Sequence, residues 1–307
     1  MSEHEIRGRI DPAGTAAILG AMLCWTTGPL FIRYLTGHLD AWSQNLWRYT
    51  TAMLVWLPYL IFKTRQGKVP PAVWKRAIIP SLANILMQSL WAWSFYYIKP
   101  GFGTLLARSS VIWTTTFCLI YFPDERGLVK SRRFWSGMVL SAIGLTTIVT
   151  TRKVVAGGAE ITGIVIMLIA AATWSLYTIC VRIAFRKIDS RTGFSVVSVY
   201  TVCGLSIIAM LFGKPGQITE IGSWPVACIV ISGILSISLA HTLYYISIQR
   251  IGAAIPALAI VVSPFATLLL SMMVFAERLT PWQWAGGVVL ISGSVLSIWA
   301  QTHLRKV

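Results

Sequence analysis

Hydrophobic positions run along this chain in blocks of about 20, broken by short polar connections in which Lys and Arg gather. Ten such blocks can be traced, near 13 to 33, 41 to 62, 78 to 98, 102 to 122, 133 to 150, 162 to 184, 193 to 212, 225 to 248, 253 to 275 and 282 to 301. A helix rising 1.5 Å per residue needs about 20 apolar residues to cross a hydrocarbon layer of about 30 Å. Each block therefore predicts one transmembrane helix, and no connection is long enough to hold a soluble domain. The first block lacks an early basic stretch and a small-residue cleavage site, so it reads as a retained helix rather than a signal peptide.

Composition agrees with that solvent. Of 307 residues, 56% are hydrophobic and 12% charged, against roughly 25% charged in an ordinary soluble domain. The five cysteines (Cys24, Cys118, Cys180, Cys203, Cys228) all lie in apolar blocks without CxxC pairing and read as packing residues.

The net charge of +16 has a distribution that explains it without a nucleic acid. With the N-terminus inside, 18 Lys and Arg fall in the inner connections and tails, in clusters such as "KTRQGK", "KSRR" and "RIAFRKIDSR". Six fall at the outer side (Arg33, Lys99, Arg152, Lys153, Lys214, Arg278), and two, Arg48 and Arg108, lie inside blocks. This is the positive-inside bias. It predicts a multi-pass protein of the cell (inner) membrane with both termini cytoplasmic.

The chain also repeats itself. At an offset of 149, Trp25 meets Trp174, Arg33 meets Arg182, Asp40 meets Asp189, Gly137 meets Gly286 and Gly144 meets Gly293; at 148, Tyr96 and Tyr97 meet Tyr244 and Tyr245. The expected fold is all-α, ten helices as two repeats of five, 13–150 and 161–301. Because five is odd, the second repeat enters the membrane from the opposite side. Inverted repeats mark transporters that bind a solute between the halves and open alternately to either side.

The second half, "HTLYYISIQRIGAAIPALAIVVSPFATLLLSMMVFAERLTPWQWAGGVVLISG", resembles an EamA repeat of the drug/metabolite transporter superfamily. The tyrosine-rich span end, "RIGAA", Pro264, "ERLT" and "WQWAGGVVLISG" carry the likeness, and "FPDERGLVKSRRFWSGMVLSAIG" repeats it more loosely in the first half. The resemblance implies the fold, transport and export of a small metabolite, with spans 1, 3, 4, 6, 8 and 9 around a central cavity.

Candidate chemistry centres on residues that are costly in a bilayer. Arg108 sits inside "GTLLARSSVIWTTTFCLIYF" with Thr104, Val111 and Thr115 on its face, and Arg48 lies in "QNLWRYTTAM" beside Gln44 and Thr51. All ten acids fall in tails, connections or span ends. Each arginine must therefore snorkel, bond to backbone carbonyls, or be completed by an anionic solute, for which a planar guanidinium suits a carboxylate.

Trp25 and Trp174 sit at mid-depth instead of at an interface, and Gly28 and Pro29 beside Trp25 invite a bend. Trp93, Tyr96 and Tyr177 extend the candidate aromatic lining, with Trp91, Trp113 and Tyr200 further out. His241, the single histidine within a span, is the candidate proton-coupling group.

These residues predict a transporter of an amphipathic carboxylate such as an amino acid or aromatic metabolite. Carriage of an aromatic or quaternary cation and a non-transporting accessory subunit are the alternatives. No paired intramembrane carboxylates, metal motif or phosphate loop points to an enzyme or a cofactor. The partners expected are the solute and membrane lipid, with a homodimer allowed.

Overall fold

The computed structural model describes residues 11–151, 158–185, 188–251 and 254–304. Helix occupies every one of the ten predicted blocks, in twelve pieces: α1 Pro12–Leu35, α2 Ala41–Arg65, α3 Pro71–Ser94, α4 Pro100–Ala107, α5 Ser110–Tyr121, α6 Arg132–Thr150, α7 Ala159–Ala184, α8 Ser190–Phe212, α9 Ser223–Ser232, α10 Ala240–Ile251, α11 Ala254–Phe275 and α12 Pro281–Leu304. Among the described residues, six stretches are long and apolar enough by themselves to cross a membrane: those of α1, α6, α7 and α8, Ser223–Ser247, and Pro281–Ala300.

Two blocks are not the plain helices expected. The fourth breaks at Arg108 and Ser109, where the amides of Arg108, Ser109, Val111 and Ile112 each bond to the carbonyl three residues back. The eighth passes from α9 through a π-helical segment, Gly233–Leu239, into α10. Neither break has a proline, so hydropathy gave no sign of it. The reverse holds in α1, which runs as helix through Pro29. There the hydroxyls of Thr26 and Thr27 donate to the carbonyls of Met22 and Cys24.

The packing is inverted relative to a soluble protein. Large apolar side chains point outward, with Met273 82% and Met210 73% exposed, while Ser43, Gln44, Asn45, Arg48, Asn84 and Thr201 are buried. A contiguous apolar surface of this kind is what lipid covers. Aspartates begin three helices: Asp11 accepts from the amides of Ala13 and Gly14, Asp40 from Trp42 and Ser43, and Asp189 from Thr192. Asp40 and Asp189 are repeat mates, so the offset of 149 preserves helix starts.

Contacts between the repeats follow a two-fold rule. α2 packs on its mate α8, α6 on its mate α12, α3 on α7, and α1 on α10. The glycines show it at atomic detail. A Cβ placed on Gly144 would meet the carbonyl of Gly286, and one on Gly293 the carbonyl of Gly137. Each glycine of one helix thus faces the mate of the other glycine, the signature of a self-complementary interface about a two-fold axis. α6 and α12 run antiparallel there, as an inverted repeat requires.

Candidate functional site

Two ends of the bundle differ. At the basic end α2 passes to α3 and α7 to α8; at the far end α1 passes to α2 and α3 to α4. A cavity of about 330 Å³ lies at the basic end, beside the connection from α7 to α8. Tyr177, Val181, Arg182 and Phe185 line it from the last turns of α7, Phe194 and Val197 from the first turns of α8, and Tyr245 from α10. The resemblance does not count the seventh block among the cavity spans, and only Tyr200 is named from it, yet α8 supplies two of these seven side chains, Phe194 and Val197.

An aromatic series leads inward from the cavity. Phe194 stacks on His241 with ring centroids 4.6 Å apart, His241 meets Trp25 edge-on at 5.4 Å, and Trp25 packs on Tyr244 at 5.2 Å. His241 Nδ1 donates to the carbonyl of Ile237 in the π segment. A carbonyl only accepts, so that contact fixes the ring's orientation. The hydroxyls of Tyr177 and Tyr245 make no hydrogen bond among the described residues and offer free donors and acceptors to the cavity.

Arg182 supplies the charge. Its guanidinium lies 3.8 Å from the Phe122 ring centroid, a cation–π contact that holds the side chain at the cavity wall. Its repeat mate Arg33 instead donates to the carbonyl of Phe95 at 2.7 Å and to that of Tyr96, closing the end of α3 at the far end.

The predicted residues separate into groups. Tyr177 lines the cavity, and Trp25 and His241 stand behind Phe194. Trp174 contacts Tyr177 at 5.9 Å and is 39% exposed, more open than the half-buried Trp25. Trp93 packs on Trp42, and the Tyr96 hydroxyl accepts from Gln44 and donates to the Leu39 carbonyl, both near the far end. Thr104 and Thr115 donate to carbonyls of their own helices, those of Gly101 and Val111. Of the outlying aromatics, Trp91 packs on Phe95 and Tyr200 on Trp74, while Trp113 is exposed.

Among the described residues, Arg108 and Arg48 donate to neither carboxylates nor carbonyls. Arg108 Nη2 donates to Ser263 Oγ at 2.8 Å, and its buried Nε has no partner. Arg48 Nε donates to Ser232 Oγ, also at 2.8 Å. Both are held across the repeats by a single hydroxyl. Thr114, six residues beyond Arg108, donates to Ser175 on α7, two residues before Tyr177. That register sets Arg108 about 9 Å deeper than Thr114, toward the far end, at 1.5 Å per residue.

Sequence reading missed Arg182, Phe194 and Tyr245. Arg182 falls among the inner positive charges, and only its pairing with Arg33 at offset 149 marks it. Tyr245 was visible as the mate of Tyr97, whereas Phe194 carried no signal. Among the described residues no group of three or more His, Cys, Asp or Glu is placed to hold a metal ion.

Comparison with known proteins places this geometry. The model of the EamA-like transporter family matches residues 12–150 and again 161–299. An uncharacterized transporter of Clostridium kluyveri is 23% identical over 227 residues, covering 72% of this chain and 70% of its own length. The uncharacterized transporter YdfC of Bacillus subtilis is 24% identical over 218 residues, 68% of this chain and 66% of its own. A protein of known crystal structure shares the fold with a TM-score of 0.62 at 15% identity, over 92% of this chain and 96% of that one.

Proposed function

Because this chain belongs to the EamA-like transporter family, we propose that it carries a small amphipathic carboxylate across the cell membrane by alternating access between its two repeats. Membership and transporter-named relatives support transport in general. The cargo class rests on one observation: the described lining of the cavity combines aromatic and aliphatic walls with the guanidinium of Arg182. An apolar body packs on Tyr177, Phe194 and Tyr245, and its carboxylate pairs with the arginine. Arg108, deeper and with an unpartnered buried Nε, is the second station for the same charge.

The basic end is the cytoplasmic end in this reading, since it carries the Lys and Arg clusters. The cavity then faces the cytoplasm, which suits a protein that loads inside and exports. Organic cations fit less well, because Arg182 stands where an acid would be needed.

Reconstitution in liposomes tests the reading. Efflux of a labelled aromatic carboxylate should exceed that of its neutral amide, and Arg182→Gln should remove most of the difference. Equal rates for acid and amide in the parent protein would overturn the cargo class.

A further inference from the structure

The connection after α11 turns back on itself. Ala276 has φ of 47°, the one positive φ outside glycine among the described residues. That backbone is costly for a residue with a Cβ. The turn drives Glu277 inward until it is 1% exposed. Its carboxylate accepts from the amides of Gly101 at 2.8 Å and Phe102 at 2.7 Å, the first turn of α4, and from the hydroxyl of Ser271.

An anion is favoured at a helix N-terminus by the unpaired amides and the helix dipole. This one comes from the other repeat. Gly101 makes the approach feasible, for a Cβ there would lie 2.8 Å from Leu268 Cα and 2.9 Å from the carboxylate. Lys99 Nζ beside it donates to the Phe275 carbonyl, and Arg278 next in sequence is exposed.

The equivalent segment of the first repeat looks different. "ERG" at Glu125 to Gly127 corresponds to "ERL" at Glu277 to Leu279, but Pro123–Lys130 is wound into a 3-10 helix at the basic end. One repeat therefore shows the connection inserted and the other shows it coiled. The inserted copy lies at the end opposite the cavity described above.

We infer that Glu277 is an inter-repeat latch: seated on the α4 amides it holds the far end shut, and it leaves that seat each time the transporter opens there. This rests on alternating access as proposed above, though not on the cargo. Unseating Glu277 should open the far end and, in the same step, close the cavity at the basic end.

Two reporters read the two ends in the full-length protein in liposomes, labelled with a membrane-impermeant thiol reagent from each side and mapped by mass spectrometry. Thr104→Cys reports the buried face of α4, and Val181→Cys reports the cavity. In Glu277→Gln, labelling at 104 should rise about tenfold and labelling at 181 fall comparably, the population shift expected when charge-assisted hydrogen bonds are lost.

Gly101→Ala, which blocks the seat from the opposite side, should do the same, and Glu277→Asp should lie between. A rise at 104 with no fall at 181 in both variants would reduce Glu277 to a local helix cap and overturn the latch. Unchanged labelling at both positions would overturn it equally. Reciprocal labelling in protein that moves no carboxylate would keep the latch and overturn the cargo class instead.

Discussion

Gly144→Ala gives the most direct measure of how closely the two repeats are joined. The added Cβ would lie 2.6 Å from the Gly286 carbonyl oxygen and 2.7 Å from Leu290 Cα, with the Leu290 amide nitrogen closer still. None of these atoms can rotate away, because all belong to the backbone of α12. Ordinary contacts of a carbon atom lie at about 3.5 Å or more, so α6 and α12 must part by roughly 1 Å. Overpacking of this kind costs about 1–3 kcal/mol, and rigid backbone places it at the upper end. Replacing helical glycine by alanine returns about 1 kcal/mol, leaving a net loss of about 2 kcal/mol. Gly287 is the control, one residue from Gly286 on the same helix. Its added Cβ would find only Leu105 methyl carbons at 3.4 and 3.6 Å and a Phe265 ring carbon at 3.9 Å. Gly287→Ala should therefore keep the propensity gain and stabilise by up to about 1 kcal/mol. Thermal unfolding in one detergent should separate the variants, with Gly144→Ala below the parent and Gly287→Ala at or above it. Equal midpoints for the two would refute the two-fold glycine contact as the closest approach of the repeats.

Three further outcomes can be checked. Arg108→Lys should weaken carboxylate transport and Arg108→Gln nearly abolish it while folding survives, measured by efflux from liposomes and by gel filtration; normal transport by the Gln variant would remove Arg108 from the path. Trp25→Ala should loosen His241 and Tyr244 and raise the half-saturation concentration, with a loss on the order of 1 kcal/mol for the stacked ring, whereas Trp174→Ala should change it less because that ring is partly exposed; equal effects would argue against the asymmetry. Partial burial raises the Asp189 carboxyl, but hydrogen bonds from Tyr59 and the Thr192 amide outweigh it and hold the carboxyl below the ordinary aspartate value. Its contribution is therefore full above that value and lost as pH falls through the lower folded one, so Asp189→Asn should cost stability at pH 6 and progressively less as the medium is acidified below the ordinary carboxylate range, as read by melting curves across that series.

Much of the fold was legible because lipid imposes a strict rule on length and polarity, and because an internal repeat survives as matched Trp, Asp and Gly positions. Breaks in the fourth and eighth blocks were not legible. Arg108 and Ser109 tighten the helix through backbone bonds that hydropathy does not register, and the π segment consists of ordinary apolar and serine residues. The site was half legible. Tyr177, Trp25 and His241 come together as rare side chains at mid-depth should, but Thr104 and Tyr96 spend their hydroxyls on nearby backbone. Glu277 is the instructive case. Its place in a connection implied solvent, and only the reversed backbone at Ala276 shows that the connection folds inward to another helix.

The reciprocal glycine contact also bears on how the protein is made. α6 is complete by Thr150, whereas α12 begins at Pro281. At about 5–20 residues per second of synthesis, the earlier helix waits roughly 7–26 s in the bilayer with its glycine face against lipid. During that interval the surface most nearly suited to it is the same surface on another nascent chain. Self-pairing demands an antiparallel partner, however, and chains delivered by one insertion machinery with one charge bias all point the same way. The orientation signal written in the loops thus acts as a chaperone, keeping each first half available for its own second half.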